Sequence, residues 1–196
     1  MDRRAVPVQG EDVLAPFLPP ADARPPGGAG RGRRFEPRNM AFTDGLDYWE
    51  LAGSFSADGQ PAGPDYSCTA SDRSAVLAAT VPEPDGSAVL VQAIAAEDYR
   101  GRTVTFRGQL RTTGVAGQAG LHLAAGRAVD PPGVLPRDLG GSSLTGPGSS
   151  DWSRHEVTVP VPQEAGVIRF GISLTGRGRI ELRNPELSTA RPGTQE

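Results

Sequence analysis

The chain contains no lysine, one cysteine and two histidines, and nowhere does it hold a long uninterrupted apolar run. Each scarcity closes off a class of protein. The single Cys68 cannot form an intramolecular disulfide, so the fold must stand on its core alone. His122, His155 and Cys68 offer no repeat of ligand spacing, which leaves neither a zinc site nor a cofactor to be expected. No segment nears the roughly eighteen apolar residues that a bilayer crossing needs, so no membrane partner is expected. All 20 basic residues are arginine, yet the net charge is −3. That sign suits no phosphate-tracking surface, so no nucleic-acid partner is expected, and the arginine bias reads as the codon usage of a GC-rich genome. With no apolar leader near the N-terminus, the expected compartment is cytoplasmic.

What the chain does have is alternation. Between Asp151 and Leu187, Val157, Val159 and Val161 interleave with polar or proline positions, and then Ile168, Phe170, Ile172 and Leu174 interleave with Arg169, Gly171 and Ser173. A period of two marks strands with one face buried, and this block reads as a pair of long antiparallel strands. Further strands are predicted over 49–55, 74–81, 88–95, 103–112, 119–124 and 180–187, separated by turn residues. The stretch from Arg127 to Ser150 is too long for a hairpin turn and reads as a loop. Seven or eight such strands, with no helical period longer than two turns, predict an all-β fold: an antiparallel two-sheet β-sandwich of jelly-roll type.

Residues 1–38 read differently. Seven prolines and the run from Gly27 to Arg34 cannot bury a core, so this part is an N-terminal extension preceding a sandwich at 39–188 and a short tail at 189–196. Its one apolar cluster, Val13, Leu14, Phe17 and Leu18, suits either a frayed tail or a lid over an opening in the body. The Gly28 to Gly32 stretch lacks the preceding strand and following helix of a phosphate loop and is read as linker.

The order of Asp44-Gly45-Leu46-Asp47-Tyr48-Trp49, Val91-Gln92-Ala93-Ile94, Tyr99-Arg100-Gly101-Arg102, Ala119-Gly120-Leu121, Ser150-Asp151-Trp152 and the final strands resembles a carbohydrate-binding-module-like, galactose-binding-like jelly roll. Such domains occur in actinobacterial proteins, often fused to regulators or hydrolases. The resemblance covers about residues 39–188 and implies a ligand held on a concave sheet face. Where those relatives carry tryptophan after the Ala-Gly-Leu element, this chain has His122.

Candidate site residues follow from the same period-two count. His122 points away from Leu121 and Leu123, and an imidazole on that face can act as acid, base or hydrogen-bond partner near neutral pH. Arg107, Gln109 and Arg111 share one face of their strand, where forked guanidiniums suit oxygen-rich ligands, and Arg169 is a candidate neighbour. Gln92 sits in apolar company and needs a partner, either ligand or backbone. Trp49, Tyr48, Tyr66 and Trp152 are either sugar-stacking platforms or core plugs. Asp44, Asp47, Asp58, Asp65 and Asp72 could donate to calcium but match no loop motif. Ser173 has no nucleophile elbow, and His155 has no evident nucleophile beside it. Two functions remain open: a module binding a small molecule or glycan through Arg107, Gln109 and His122, or a cofactor-independent cyclase or isomerase of specialised metabolism with the extension as its lid.

Overall fold

The computed structural model describes residues 36–55, 65–126 and 140–190. The apolar cluster at Val13 to Leu18, the linker glycines, Asp58 and the first part of the 127–150 stretch lie outside them. Among the described residues, ten strands run in chain order: β1 (Glu50–Phe55), β2 (Tyr66–Ser71), β3 (Ser74–Ala79), β4 (Ser87–Ala95), β5 (Thr103–Val115), β6 (Gln118–Gly126), β7 (Gly140–Thr145), β8 (Gly148–Pro160), β9 (Val167–Thr175) and β10 (Arg179–Ala190). A 3₁₀ turn at Glu97–Tyr99 joins β4 to β5. No helix among the described residues is long and apolar enough to cross a membrane.

The strands form two five-stranded antiparallel sheets, ordered β1-β4-β9-β6-β7 and β2-β3-β10-β5-β8. The expected two-sheet jelly roll is therefore the fold observed. Even-numbered residues of β9 and odd-numbered residues of β6 face inward, so Ile168, Phe170, Ile172 and Leu174 meet Leu121, Leu123, Phe106 and Leu110 in one core. Phe170 lies at its centre, with its ring centroid 5.2 Å from that of Phe106 and 5.8 Å from that of Trp49.

Two expectations about connectivity are corrected. The Val157 and Ile168 segments do not pair with one another: β8 pairs with β5 in one sheet, whereas β9 pairs with β4 and β6 in the other. Residues 161–166 carry the chain across, anchored at both ends by Val161 N–H donating to Arg102 O (2.9 Å) and Gly166 N–H donating to Gly126 O (2.8 Å). Pro160 ends β8 and Pro162 lies at the start of this crossing; neither can donate a ladder hydrogen bond, which favours leaving the sheet there. The second correction is the number of strands, because β2 and β7 are additional. The β2–β3 hairpin turns at Asp72 and Arg73, which have φ of 51° and 59°. Positive φ at both central positions is the primed hairpin turn normally signalled by Asn-Gly.

Tyr66, a candidate ligand contact, is instead a structural tie. Its buried hydroxyl donates toward Gly86 O (2.9 Å), lies 3.3 Å from Gly176 O and accepts the Gly176 N–H (3.0 Å). It thus joins β2 to two turns distant in sequence, and burial pushes its pKa upward. Tyr66→Phe would strand these groups and is expected to lower stability by about 1–3 kcal/mol in urea unfolding. A loss too small to measure would show that the tie carries no energy.

Candidate functional site

His122 and the β5 polar residues singled out from the sequence divide between the two outer faces of the sandwich. His122 belongs to β6, in the β1-β4-β9-β6-β7 sheet; Arg107, Gln109 and Arg111 belong to β5, in the other sheet. A site joining His122 to Arg107 and Gln109 is therefore excluded. Arg169 lies on β9 in the His122 sheet, not beside Arg107.

On the outer face of the His122 sheet, pairing register sets Glu50, Val91, Gly171, His122 and Ser142 in one row across all five strands. The adjoining rows place Val89, Ser173 and Gly120 on one side and Ala93, Arg169 and Ala124 on the other. Apart from His122 and Arg169, the central floor is built from small or branched side chains, whereas Glu50 and Ser142 on the edge strands are exposed. A Cβ at Gly171 would run into the Leu90 backbone, and one at Gly120 into that of Ser143. Glycine at both positions keeps neighbouring strands close, and on this face Val89, Val91, His122 and Ala124 are each almost fully buried.

His122 itself is only 6% exposed, and its Nε2 is buried without a hydrogen-bond partner. Burial, aided by the Arg169 charge, pushes its pKa down to about 4, so the ring is neutral at neutral pH. An unsatisfied buried polar nitrogen costs about 1–3 kcal/mol and calls for a functional or structural reason. A neutral imidazole nitrogen can exchange a hydrogen bond with a hydroxyl but cannot act as a strong acid.

The opposite face is a polar ladder whose charges are largely paired, although Arg107 Nε, like His122 Nε2, is buried without a hydrogen-bond partner. Buried Glu181 accepts a forked pair from Arg111 (Nε 3.0 Å, Nη2 2.8 Å) and lies 3.2 Å from Arg179 Nε. Burial raises the Glu181 pKa, but these guanidiniums outweigh it and hold the carboxylate below its usual range. Gln109 Oε1 accepts from Arg183 Nε (2.6 Å), and Arg107 Nη2 reaches Glu186 (3.2 Å) and Ser188 Oγ (3.1 Å). Arg111 and Arg183 lie over the Trp152 ring at 4.8 and 4.1 Å, which occupies its π surface with cations. A hollow of about 190 Å³ remains between Arg107, Gln109, Arg154 and Glu186.

The other candidates have internal roles. Trp49 is buried against Phe42 and Phe170 and donates its indole N–H to Asn39 O (3.3 Å), so its ring is a core plug and not an exposed platform. Gln92 faces inward on β4, where Oε1 accepts Arg38 N–H (2.7 Å) and Nε2 donates to Arg38 O (2.8 Å). His155 does have hydroxyls beside it, contrary to expectation: Ser153 Oγ lies 2.9 Å from Nε2 and Ser143 Oγ 3.3 Å from Nδ1. With both ring nitrogens engaged by serines, no position is left for an orienting carboxylate, and the trio bridges β7 and β8. Among the described residues, no three His, Cys, Asp or Glu side chains group as a metal would require.

No family model matches the chain. One curated relative, the uncharacterized HTH-type transcriptional regulator YbfP of Bacillus subtilis (strain 168), is 29% identical over 94 residues, which are 47% of this chain and 30% of that protein. The aligned stretch thus spans less than a third of the relative's length. Among solved structures, a CBM4 module superposes with a TM-score of 0.55 at 16% identity, covering 78% of this chain and 98% of its own. The chain has the jelly-roll fold of carbohydrate-binding modules. A xylan-binding domain from CBM 22 gives a TM-score of 0.51 at 12% identity, covering 79% and 94% of the two chains. The enzymatically active domain of Bacteriophage CBA120 tailspike protein 4 gives 0.58 at 12% identity, with 80% of this chain but only 22% of that one covered. At these identities the likeness establishes the jelly roll and nothing finer about ligand or site.

Proposed function

We propose that this chain is a glycan-binding module that holds its ligand on the outer face of the β1-β4-β9-β6-β7 sheet, around His122, and performs no chemistry on it. The observation that carries this reading is the buried, partnerless Nε2 of His122, set between Gly120 and Gly171, where neighbouring strands approach closely. Sugar hydroxyls both donate and accept, so either tautomer of a neutral imidazole finds a partner, and Ser173, Ser142 and Glu50 supply further polar groups along the same face. The shared fold with a CBM 22 domain that binds xylan agrees with a polysaccharide ligand. Cyclase or isomerase activity gains no support among the described residues. Its lid segment lies outside them, and a histidine kept neutral down to about pH 4 is a poor proton donor at neutral pH.

Affinity electrophoresis and calorimetry against soluble xylan, β-glucan and galactan test the proposal. Wild type is expected to bind at least one of them, and His122→Ala to weaken that binding about tenfold, the loss of one well-placed hydrogen bond. Trp152→Ala, on the opposite sheet, is expected to leave it unchanged. Loss of binding in the Trp152 variant with retention in the His122 variant would move the site to the Arg107, Gln109 and Arg111 face. Absence of binding to every polymer would reject the glycan reading.

A further inference from the structure

On the outer face of the β2-β3-β10-β5-β8 sheet, the hollow of about 190 Å³ is lined by Arg107, Gly108, Gln109, Arg154, Asn184 and Glu186. We propose that it is a second binding position, an oxyanion site that takes a sulfate or carboxylate group. It stands whether or not the His122 face holds a glycan, because the two lie on opposite sides of the sandwich.

The lining holds more hydrogen-bond donors than acceptors. Pairing register sets Arg183, Gln109 and Arg154 in one lateral row across β10, β5 and β8, and Glu186, Arg107 and Glu156 in the next. Arg183 rests on the Trp152 ring at 4.1 Å and donates from Nε to Gln109 Oε1 (2.6 Å), while Asn184 Nδ2 approaches the same oxygen at 3.4 Å. An arginine Nε–H can only donate, so the atom it meets is the carboxamide oxygen, and the Gln109 Nε2 hydrogens keep no acceptor among the described residues. Trp152 and Arg183 thus fix an unfilled amide donor in the wall of the hollow.

Arg154 supplies the charge. It is exposed, and among the described residues no carboxylate lies within ion-pair distance of its guanidinium. Arg107 adds to the surplus: its Nη2 meets Glu186 (3.2 Å) and Ser188 Oγ (3.1 Å), but its Nε is buried without a partner. Of the lining residues only Glu186 is a carboxylate, and Arg107 already engages it; Glu156 stands across from Arg107 on β8 but does not line the hollow. In these two rows the guanidiniums of Arg107, Arg154 and Arg183 face the carboxylates of Glu156 and Glu186, which leaves a net positive field. A free guanidinium beside an amide donor fits the paired oxygens of a carboxylate or sulfate. The space itself opens at the bulge between Arg183 and Glu186, where Asn184 takes φ 51°. At about 30 Å³ per water it is the room of about six waters, enough for one oxyanion with part of its hydration.

The experiment is a ¹H–¹⁵N NMR titration of the full chain at low salt and neutral pH with glucose 6-sulfate, glucuronate, sodium sulfate and glucose. The anions are expected to shift the amides of residues 107–109, 153–155 and 186–188, and glucose to leave them in place. Arg154→Gln should weaken binding about tenfold, the loss of one charged hydrogen bond, with no fall in melting temperature because its guanidinium has no protein partner. Glu186→Gln should tighten binding about fivefold by removing a like charge beside the anion. Arg102→Gln takes away an exposed arginine elsewhere and should change nothing, and His122→Ala should likewise retain the shifts. Sodium sulfate bound as tightly as glucose 6-sulfate would assign the site to free anions, and bound more weakly would assign it to acidic sugars; either result upholds the oxyanion site. Equal shifts with glucose, equal weakening by Arg154→Gln and Arg102→Gln, no tightening in Glu186→Gln, or no shift in these amides with any anion would overturn it. Loss of the shifts in His122→Ala would refute the separateness of the two positions.

Discussion

Phe170→Ala is expected to be the most damaging single truncation in the sandwich, lowering unfolding free energy by about 3–5 kcal/mol and the melting temperature by about 10 °C or more. Phe170 is fully buried, and its β9 strand is paired on both sides, with β4 and with β6. Its ring touches Phe106 from the opposite sheet and Trp49 from the segment leading into β1, so its removal opens a cavity where the two layers and the turn that presents Tyr48 all converge. Neither sheet can close that gap without breaking pairing on β9, which is why the cost should sit at the upper end for a core aromatic. Urea and thermal unfolding measure it. A loss below about 1 kcal/mol would show that the layers collapse onto one another freely and that the aromatic cluster does not organise the core.

The second large effect is a pH dependence contributed by His122. Its folded-state pKa is depressed to about 4 from the ordinary 6.5, first by burial and then by the charge of Arg169. The unfolded chain therefore takes up a proton before the folded one does, and stability must fall as pH drops from 6.5 towards 4. Over that window the loss amounts to about 3 kcal/mol at 1.36 kcal/mol per pH unit, and below the folded pKa it levels off. Other groups respond to acid as well: burial also lowers the pKa of His155, and the guanidiniums around Glu181 keep it ionised below the usual carboxylate range. The quantity to measure is therefore the difference between wild type and His122→Gln in urea unfolding free energy, compared at about pH 7 and pH 4.5. The variant should lose about 2–3 kcal/mol less than wild type across this interval. Parallel profiles would mean that the imidazole is solvated and protonates freely, and the orphaned Nε2 would lose its significance with it.

The jelly roll was legible because strands half-buried in a sandwich must alternate. The spacings of Val157 and Val159 and of Ile168 to Leu174 each place their inward side chains correctly in the core. β7 escaped notice because Gly140 to Thr145 is glycine, serine and threonine apart from Leu144, which is itself exposed. β2 escaped because its hairpin turns on Asp72 and Arg73, residues that seldom take positive φ. The pairing of β8 with β9 looked natural because neighbours in sequence usually pair. In the structure each strand is instead claimed by partners distant in the chain.

The candidate site was less legible, and the reason is geometric. Alternation distinguishes inward from outward, and it correctly set His122 outward between Leu121 and Leu123. It carries no label for which of two sheets a strand joins, and both sheets have an outward face. Arg107, Gln109 and His122 therefore looked like one constellation when the thickness of the sandwich separates them. Gln92 and Tyr66 were visible as polar groups in apolar company, but their partners, the Arg38 backbone and the turns at Gly86 and Gly176, are set by packing between distant segments. Taken alone, then, the sequence determined the fold class and the inward and outward sides of most strands, and it left Tyr48 open between platform and plug. Strand order decided the rest, because long-range pairing alone sets Glu50, Val91, Gly171 and His122 in a row and leaves the imidazole buried without a partner.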